Sequence, residues 1–400
     1  MTMSYAGERV MYDADSHLME LPDFLRQFAT EKDRDWMPEL SFGGAAGSGI
    51  DRDLHDYIAA GRKHSPEVVA ELSQLGADIL RGPKGYQALG AFNADDRTAV
   101  LDMLGFRRQL VFATFSTGVA FNNPDPAQAY AAARAHNRGM IDFCSVDPRL
   151  LGVGAVPLDD PDRAMTELDF ALANNLQAIW VPHRDCGGRS PGHNDLDPFW
   201  ARLSEAGIPF VLHVGGNPLQ LPDVWMNTGR AVPTDWGGGG ENVRGKDMAA
   251  LHHAAERFVS VMLLDGVFDR HRSLTGAVVE LGAGWVPQML DRLDWVVDIW
   301  SKSDEGLRNL SRKPSETALE QLAFTPYVYE DVGKLISQSQ AELYLFSSDY
   351  PHTEGGRNPL GRFDRSFEAA ATPATDQSQF FSENFLRVFP AVFQNAGVAT

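Results

Sequence analysis

The stretch "MYDADSHLMELPD" (residues 11–23) is the most informative part of the sequence for both the fold and the site. It places Asp13, Asp15 and His17 at alternate positions, at the end of the apolar run "RVMY" (9–12). Residues i and i+2 of a strand face the same way, so Asp15 and His17 can converge on one point. A carboxylate and an imidazole at that spacing can chelate a divalent cation, but a hydrogen-bonded turn at a strand end gives the same pattern. This stretch alone leaves both explanations open.

Eight short apolar segments alternate with helical patterns along the chain. The segments are 9–15, 108–114, 150–158, 176–182, 208–216, 275–284, 324–331 and 341–350, and the clearest helices are 93–106, 125–144, 160–175 and 197–207. Apolar strands that alternate with helices pair in parallel, and eight such units favour a (β/α)₈ TIM barrel, an α/β fold, over an open sheet. An open sheet usually has an early glycine-rich phosphate turn, whereas "GGAAGSG" (43–49) follows no strand and is interpreted as a loop.

The chain is interpreted as a single barrel domain, residues 1–400, with three insertions. They lie at about 31–92, 225–247 and 285–323, after the first, fifth and sixth strands, and the last contains the amphipathic pattern "WVPQMLDRLDWVVDIW" (285–300). The first two follow the carboxyl ends of strands, where barrel active sites lie, so they are candidate lids.

Composition limits the classes of partner and compartment. The net charge of −19 disfavours nucleic acid and anionic membranes as partners, because their phosphates would be repelled. Two cysteines, Cys144 and Cys186, exclude a disulfide framework and a cysteine-rich zinc site. The start lacks the features of a signal peptide, and no apolar run reaches membrane-spanning length. We therefore expect a cytoplasmic protein with a small-molecule substrate, assembled as a homo-oligomer, a dimer or higher.

Two further strands end in side chains that can bind metal. His213 follows four apolar residues in "PFVLHVGG" (209–216), where the two glycines let another group approach the backbone. Asp349 closes the apolar segment "LYLFSSDYPH" (343–352). A buried carboxylate or imidazole is costly unless it is paired or bound to metal. Three strand ends at one level of a barrel therefore favour a shared metal site.

Four motifs together resemble the amidohydrolase-related family. They are "YDADSHLMELPD" (12–23), "FVLHVGG" (210–216), "AVVELGAGWVPQMLDRLD" (277–294) and "LFSSDYPHTEGG" (345–356). This branch of the amidohydrolase superfamily includes aminocarboxymuconate-semialdehyde decarboxylase and the resorcylate and carboxyvanillate decarboxylases. The resemblance implies a metal-dependent (β/α)₈ barrel.

The resemblance also implies a ligand set. The family's metal ligands fall on Asp15, His17, His213 and Asp349. Glu280 stands where the family often has a histidine, which leaves the general acid and base open among Asp349, Glu280 and His213. A carboxylate beside a cation has a depressed pKa, which favours a base role for Glu280. The two-metal members need a lysine on the fourth strand, and "LQAIWVPHRD" (176–185) has none. One metal ion is expected, Zn²⁺ in the first place and Mn²⁺ as the alternative.

Three more residues are candidates for substrate binding. His183 and His352 each follow a strand-ending proline, and Arg184 shares the loop of His183. Near the rim they could bind substrate, although a histidine that satisfies loop backbone fits equally well. His136 is expected on a helix surface.

Three functions are consistent with the sequence. The first is a mononuclear metal-dependent hydrolase that uses metal-activated water on a small organic substrate. The second is a nonoxidative decarboxylase of an aromatic or muconate-like acid. The third is a catalytically inactive binding barrel, which the intact ligand positions disfavour. The acid-x-histidine start favours a decarboxylase, but Glu280 departs from that group. Arg244 and Arg357 are candidates for binding a substrate carboxylate only because they lie in loops. The hydrolase is preferred and the decarboxylase is its alternative.

Overall fold

The computed structural model describes residues 3–40, 50–218, 221–230 and 245–391. The interpreted loop 43–49 lies outside the described residues, as does most of the 225–247 insertion.

A curved parallel sheet forms the centre of the molecule. Its strands pair in the order β1-β3-β4-β5-β6-β7-β8, and β2 also pairs with β3. The strands are β1 (Tyr12–Asp13), β2 (His17–Leu18), β3 (Arg108–Ala113), β4 (Leu150–Ala155), β5 (Ala178–Trp180), β6 (Phe210–His213), β7 (Gly276–Val279) and β8 (Leu322–Phe324). Together with its covering helices, the sheet is a (β/α)₈ barrel, as the sequence predicts.

β1 and β2 are two pieces of the first barrel strand, separated by a bulge. Asp13 pairs with Gln109, whereas His17 pairs with Phe112. The first strand therefore advances four residues, from 13 to 17, while β3 advances three, from 109 to 112. The additional residue in the first strand is a β-bulge. The bulge lies in the segment that carries Asp15 and His17.

Residues 344–350 close the barrel without forming a regular strand. Tyr344 makes a single bridge to β8 through Phe324, and Tyr350 makes another to Ser16. Between them, the backbone N–H of Asp349 donates to the carbonyl oxygen of Asp15 at 2.9 Å. The predicted strand 341–350 thus occupies its place in the barrel, but it begins as a 3₁₀ turn, Ala341–Leu343.

Helices cover the outside of the sheet and fill the connections. They are α1 (Phe24–Phe28), α2 (Glu31–Arg34), α3 (Ile50–Ala59), α4 (Pro66–Ser73), α5 (Ala94–Leu104), α6 (Ser116–Phe121), α7 (Pro126–Cys144), α8 (Pro161–Ala173), α9 (Asp197–Ala206), α10 (Gly245–Met248), α11 (His252–Leu264), α12 (Val267–Arg270), α13 (Val286–Trp300), α14 (Glu305–Arg308), α15 (Pro314–Gln321), α16 (Val332–Gln338), α17 (Pro359–Ala370), α18 (Ala374–Ser378) and α19 (Asn384–Val388). A π-helical turn, Gln379–Glu383, precedes α19.

The helix ends follow the capping residues in the sequence. The side chain of Asn93 accepts from the Asp96 N–H at 3.0 Å and begins α5. α9 ends at Gly207, whose φ of 63° is the left-handed conformation that glycine adopts without strain. All four helices predicted most clearly are present, and α13 matches the amphipathic pattern. The seventh predicted strand is displaced: β8 ends at Phe324, where the predicted segment 324–331 begins.

Among the helices of the described residues, none is both long enough and apolar enough to cross a membrane.

Candidate metal centre

Six buried side chains of the described residues bring potential metal-binding atoms together at the carboxyl ends of the strands. They form two groups that share His17 and Glu280, and within each group the donor atoms lie within 4.8 Å of one another. The first group is Asp15, His17, His213 and Glu280, and the second is His17, Glu280, Asp349 and His352.

The first group forms the centre, in which two imidazoles and two carboxylates face one another. His17 Nε2 lies 3.2 Å from Asp15 Oδ1 and 3.8 Å from Glu280 Oε2. His213 Nε2 lies 3.4 Å from Asp15 Oδ1 and 3.2 Å from Glu280 Oε2. Atoms bound at about 2.1 Å to one ion lie about 3.0–3.5 Å from their neighbours, so this spacing fits a single cation.

Asp349 adjoins this centre on the side of His352. Its Oδ1 lies 3.5 Å from His17 Nε2 and 3.1 Å from His352 Nδ1. The structure therefore brings together Asp15, His17, His213 and Asp349, the four predicted ligands. It adds Glu280, which the sequence suggested for catalysis, and His352, which it suggested for substrate binding.

The chemistry of these groups fits a bound cation. Both ring nitrogens of His17 and the Oδ1 atom of Asp349 are buried, and no described residue makes a hydrogen bond of normal geometry to them. The carboxylate oxygens of Asp15 and Glu280 lie within 4.8 Å of each other, as do those of Glu280 and Asp349. Buried carboxylates at that separation repel each other unless a cation or a proton lies between them.

Hydrogen bonds orient the rings of His213 and His352 toward the centre. The Nδ1–H of His213 donates to the Val214 carbonyl at 2.8 Å, because a carbonyl oxygen only accepts. The Nε2 lone pair therefore points toward the carboxylate oxygens of Asp15 and Glu280, where a cation shared by the three groups would lie. The Thr114 hydroxyl donates to the Leu18 carbonyl at 3.0 Å and so accepts from His352 Nε2 at 3.0 Å. Nδ1 of His352 therefore faces Asp349.

Two of the acidic residues adopt strained backbone conformations. Glu280 has φ of 54° and Asp349 has φ of 53°, a left-handed conformation that is uncommon for residues other than glycine. Each costs about 1–2 kcal/mol, and such strain is concentrated at functional sites. In both cases the turn directly follows a barrel strand and carries the carboxylate into the centre.

Asp13 supports the centre from behind without being part of either donor group. Its carboxylate accepts from Gln109 Nε2 at 2.7 Å, and from the backbone N–H and hydroxyl of Ser348 at 2.7 Å and 2.6 Å. Burial raises the pKa of Asp13 to about 7, and the Asp15 carboxylate adds to this rise, while the donated hydrogen bonds oppose it. Asp13 thereby ties the first, second and last barrel strands together.

The imidazoles of His17 and His183 are held in the neutral form. Burial lowers the pKa of His17 well below its usual value, and the imidazoles of His352 and His213 lower it further. Burial likewise lowers the pKa of His183 to about 3, with a smaller contribution from His213. Neutral imidazoles are the form that binds a cation.

His183 is packed beside the centre, whereas the guanidinium of Arg184 is paired with the carboxylate of Asp159. A Cβ on Gly216 would lie 2.7 Å from His183 Nδ1, so the glycine of "HVGG" admits this ring, as the sequence suggested. The guanidinium of Arg184 makes two hydrogen bonds to the Asp159 carboxylate, at 2.7 Å and 2.9 Å, and a third to the Phe121 carbonyl. Substrate binding by these two residues remains a prediction.

Two features of the surroundings do not follow from the sequence pattern. His136 is fully buried against Ser116 instead of lying on a helix surface, because α7 packs this face on β4. Lys84 has a buried Nζ atom next to the Asp349 loop. Only the glycines on either side of it in "RGPKGY" (81–86) hint at an unusual position.

This protein is an eight-stranded barrel with carboxylate and imidazole groups at the carboxyl ends of its strands. That arrangement is typical of metal-binding (β/α)₈ proteins. The sequence profile of the amidohydrolase family matches residues 86–391. The chain belongs to this family, and its resemblance to the decarboxylase branch is confirmed.

Similar proteins include both curated sequences and solved structures. Gamma-resorcylate decarboxylase of Rhodococcus jostii (strain RHA1) is 32% identical over 185 residues, 43% of this chain and 51% of the relative. The chain thus spans about half the length of the curated relatives it matches. An amidohydrolase from Mycobacterium avium subsp. paratuberculosis K-10 has a TM-score of 0.68 at 20% identity, covering 96% of this chain and 99% of that one. A dihydroxybenzoic acid decarboxylase from Polaromonas sp. JS666, with bound manganese and 2-nitroresorcinol, has a TM-score of 0.59 at 18% identity, covering 98% of both chains.

Proposed function

We propose that this protein is a metal-dependent, nonoxidative decarboxylase of a hydroxylated aromatic acid such as a dihydroxybenzoate. The observation that carries the proposal is the position of Asp349 between His17 and His352, 3.5 Å and 3.1 Å from their ring nitrogens. A decarboxylase needs a proton donor beside the metal ion. Asp349 and His352 together can hold one proton and replace it after it has been transferred. The similarity to gamma-resorcylate decarboxylases supports the same reaction.

This proposal reverses the order of the two functions preferred from the sequence. The sequence favours a hydrolase because Glu280 departs from the decarboxylase pattern. It offers only two loop residues for binding a substrate carboxylate, Arg357 and Arg244, of which Arg244 lies outside the described residues. The curated relatives are decarboxylases and support the alternative instead. Glu280 is compatible with this, since its carboxylate lies among the donor atoms at the place the family often gives to histidine.

The donor set favours manganese over zinc. Three carboxylates and two imidazoles, from Asp15, Glu280, Asp349, His17 and His213, offer mainly hard oxygen atoms, and Mn²⁺ prefers such ligands more than Zn²⁺ does. The relative from Polaromonas contains manganese. A bound divalent cation would supply the positive charge that holds the carboxylate and hydroxyl oxygens of the substrate.

The protein's own residues then manage the proton. The bond between the ring carbon and the carboxylate carbon breaks, its electron pair stays on the ring carbon, and carbon dioxide leaves. Asp349 gives the ring carbon its proton. His352 can return a proton to Asp349, and the hydrogen bond to Thr114 fixes the ring in the orientation for this transfer.

Carbon dioxide release tests the reaction. Protein loaded with Mn²⁺ should convert 2,6-dihydroxybenzoate or a related hydroxybenzoate to the corresponding phenol and carbon dioxide in equal amounts. Lactones and amides serve as the opposing substrates. If the protein hydrolyses these compounds and releases no carbon dioxide from any aromatic or muconate-like acid, the hydrolase hypothesis is correct and the decarboxylase proposal is wrong.

A further inference from the structure

Lys84 lies beside the candidate metal centre and was not singled out by any sequence motif. It stands between the 3₁₀ turns Gly76–Arg81 and Gly85–Gln87. The N–H of Gly85 donates to the Pro351 carbonyl at 2.9 Å, which fastens this segment to the loop that carries Asp349 and His352. The Nζ atom of Lys84 lies 5.6 Å from the centre of the Tyr350 ring.

The ammonium group of Lys84 is buried and lacks a hydrogen-bond acceptor. Nζ is inaccessible to solvent, and no described residue accepts a hydrogen bond from it. The charged groups that act on it are the carboxylates of Asp349 and Glu354 and the guanidinium of Arg357. Burying an ammonium without an acceptor is unfavourable, so a partner from outside the chain that accepts its hydrogen bonds would stabilise it.

Burial and the neighbouring carboxylates act on the pKa of Lys84 in opposite directions. Burial lowers the pKa of Lys84 to about 8 and Arg357 lowers it further, while the Asp349 and Glu354 carboxylates act in the opposite direction.

The charge of the centre explains why such a cation is needed. The carboxylates of Asp15 and Glu280 already balance the charge of one divalent cation, and Asp349 adds a third carboxylate, which shares one proton with His352 in the proposed reaction. A centre without excess positive charge attracts an anionic acid weakly. In a buried site of low effective dielectric, one nearby positive charge changes this balance strongly.

We propose that Lys84 binds the anionic group of the aromatic acid and gives the site its preference for acids over neutral phenols. This inference rests on the proposed function, because it takes the substrate class from it. It also supplies a cation for the substrate carboxylate, a role for which the sequence pattern offers only the loop residues Arg244 and Arg357. Lys84 is a substrate-binding residue in this account, and the proton transfer stays with Asp349.

Binding measurements on the Mn²⁺-loaded protein test the role of Lys84. The probes are 2,6-dihydroxybenzoate, an anion, and resorcinol, the neutral diol without the carboxylate. Lys84→Met keeps the length of the side chain and removes its charge, Lys84→Arg keeps the charge, and Lys334→Met is the matched control, since Lys334 is exposed on α16. Titration calorimetry gives the Kd of each probe.

Lys84→Met should weaken binding of the acid by about 10- to 100-fold, the value of a charge-assisted hydrogen bond, and leave the Kd of resorcinol within about twofold. Lys84→Arg should retain most of the affinity for the acid, and Lys334→Met should bind both probes as the wild type does. Equal affinity of the wild type for acid and diol, or an unchanged preference in Lys84→Met, would overturn the inference.

These Kd values, together with the assay of carbon dioxide release, separate this inference from the proposed function. Acid binding that depends on Lys84, without carbon dioxide release, would support the anion site and contradict the decarboxylase. Carbon dioxide release with a preference for acids that survives Lys84→Met would support the decarboxylase and contradict the anion site.

Discussion

At the scale of single residues, the sequence indicates which side chains lie at the strand ends but not which way each one points. Asp15, His17 and His213 end apolar strands, where burial without a partner is too costly, so their convergence follows from the pattern. Glu280 and Asp349 reach the centre through left-handed turns with φ of 54° and 53°. The sequence pattern does not reveal such a turn at a residue other than glycine. The place of Glu280 among the donor atoms therefore emerged only in three dimensions.

Replacing Glu280 tests its part in metal binding. Glu280→Gln keeps the shape of the side chain and removes its charge, so the affinity for Mn²⁺ should fall by about 10- to 100-fold, as is typical when a ligand or its support is lost. Isothermal titration of the metal-free protein measures this Kd. The control is Glu205→Gln, because Glu205 is exposed on α9. An affinity equal to that of the wild type would remove Glu280 from the centre.

Replacing Asp349 tests the proton transfer. Asp349→Asn cannot carry the proton, so turnover should fall by at least about 100-fold, within the range for loss of a general acid. The helical circular dichroism spectrum should remain that of the wild type. Asp298→Asn, an exposed position on α13, serves as the control. Carbon dioxide release at the wild-type rate from Asp349→Asn would contradict the role given to this carboxylate.

At the scale of elements, the helices were easier to predict than the two strands that close the barrel. α5 and α9 carry their capping residues, Asn93 and Gly207, in the sequence, and both ends lie where these residues place them. The last barrel strand, residues 344–350, pairs with its neighbours through isolated bridges. Its identity depends on contacts with β8 and with residue Ser16, far away along the chain. Local patterns cannot reveal such contacts, and they cannot reveal the bulge between β1 and β2.

The burial of His136 between α7 and β4 predicts a pH dependence of stability. Its Nε2–H faces the Val153 carbonyl and its Nδ1 accepts from the Ser116 hydroxyl at 2.8 Å. Burial lowers the pKa of His136 from 6.5 to about 4 in the folded state. In the unfolded chain, His136 therefore binds a proton as the pH falls below 6.5. In the folded chain, it does so only at about pH 4. This contribution to stability is complete above pH 6.5 and is lost as the pH falls toward 4.

Urea unfolding at pH 7.5 and pH 5 measures this effect. His136 should account for a loss of about 2 kcal/mol in the free energy of unfolding between these pH values, at about 1.4 kcal/mol per pH unit. In His136→Gln, which cannot take up a proton, the loss should be smaller by that amount. The same pH dependence in both proteins would show that His136 is not the group responsible.

At the scale of the whole molecule, barrel closure is what creates the site. The residues of the centre come from the first, fifth, sixth and last barrel strands. The first and last strands are neighbours in the sheet, and so are the fifth and sixth, but other strands separate these two pairs. A bound cation would therefore cross-link opposite sides of the barrel. The eight-strand alternation in the sequence was sufficient to predict this architecture, while the substrate and the oligomeric state remain predictions.

Metal binding should stabilise the whole fold. At a free metal concentration of about 100 times Kd, binding to the folded state adds about 2.7 kcal/mol to the free energy of unfolding. For a chain of this length, that corresponds to a rise of about 3 °C in Tm. Differential scanning calorimetry of chelator-treated protein, with and without added Mn²⁺, measures the change. A Tm that does not respond to Mn²⁺ would argue against a cation that joins the strands.

The most direct test of the account is the position of the cation itself. Anomalous diffraction from crystals grown with Mn²⁺ should show one strong peak per chain, within about 2.5 Å of donor atoms of Asp15, His17 and His213. Two strong peaks in the barrel would contradict the single-ion centre. A peak elsewhere, with these side chains left without an ion, would contradict the metal site as a whole.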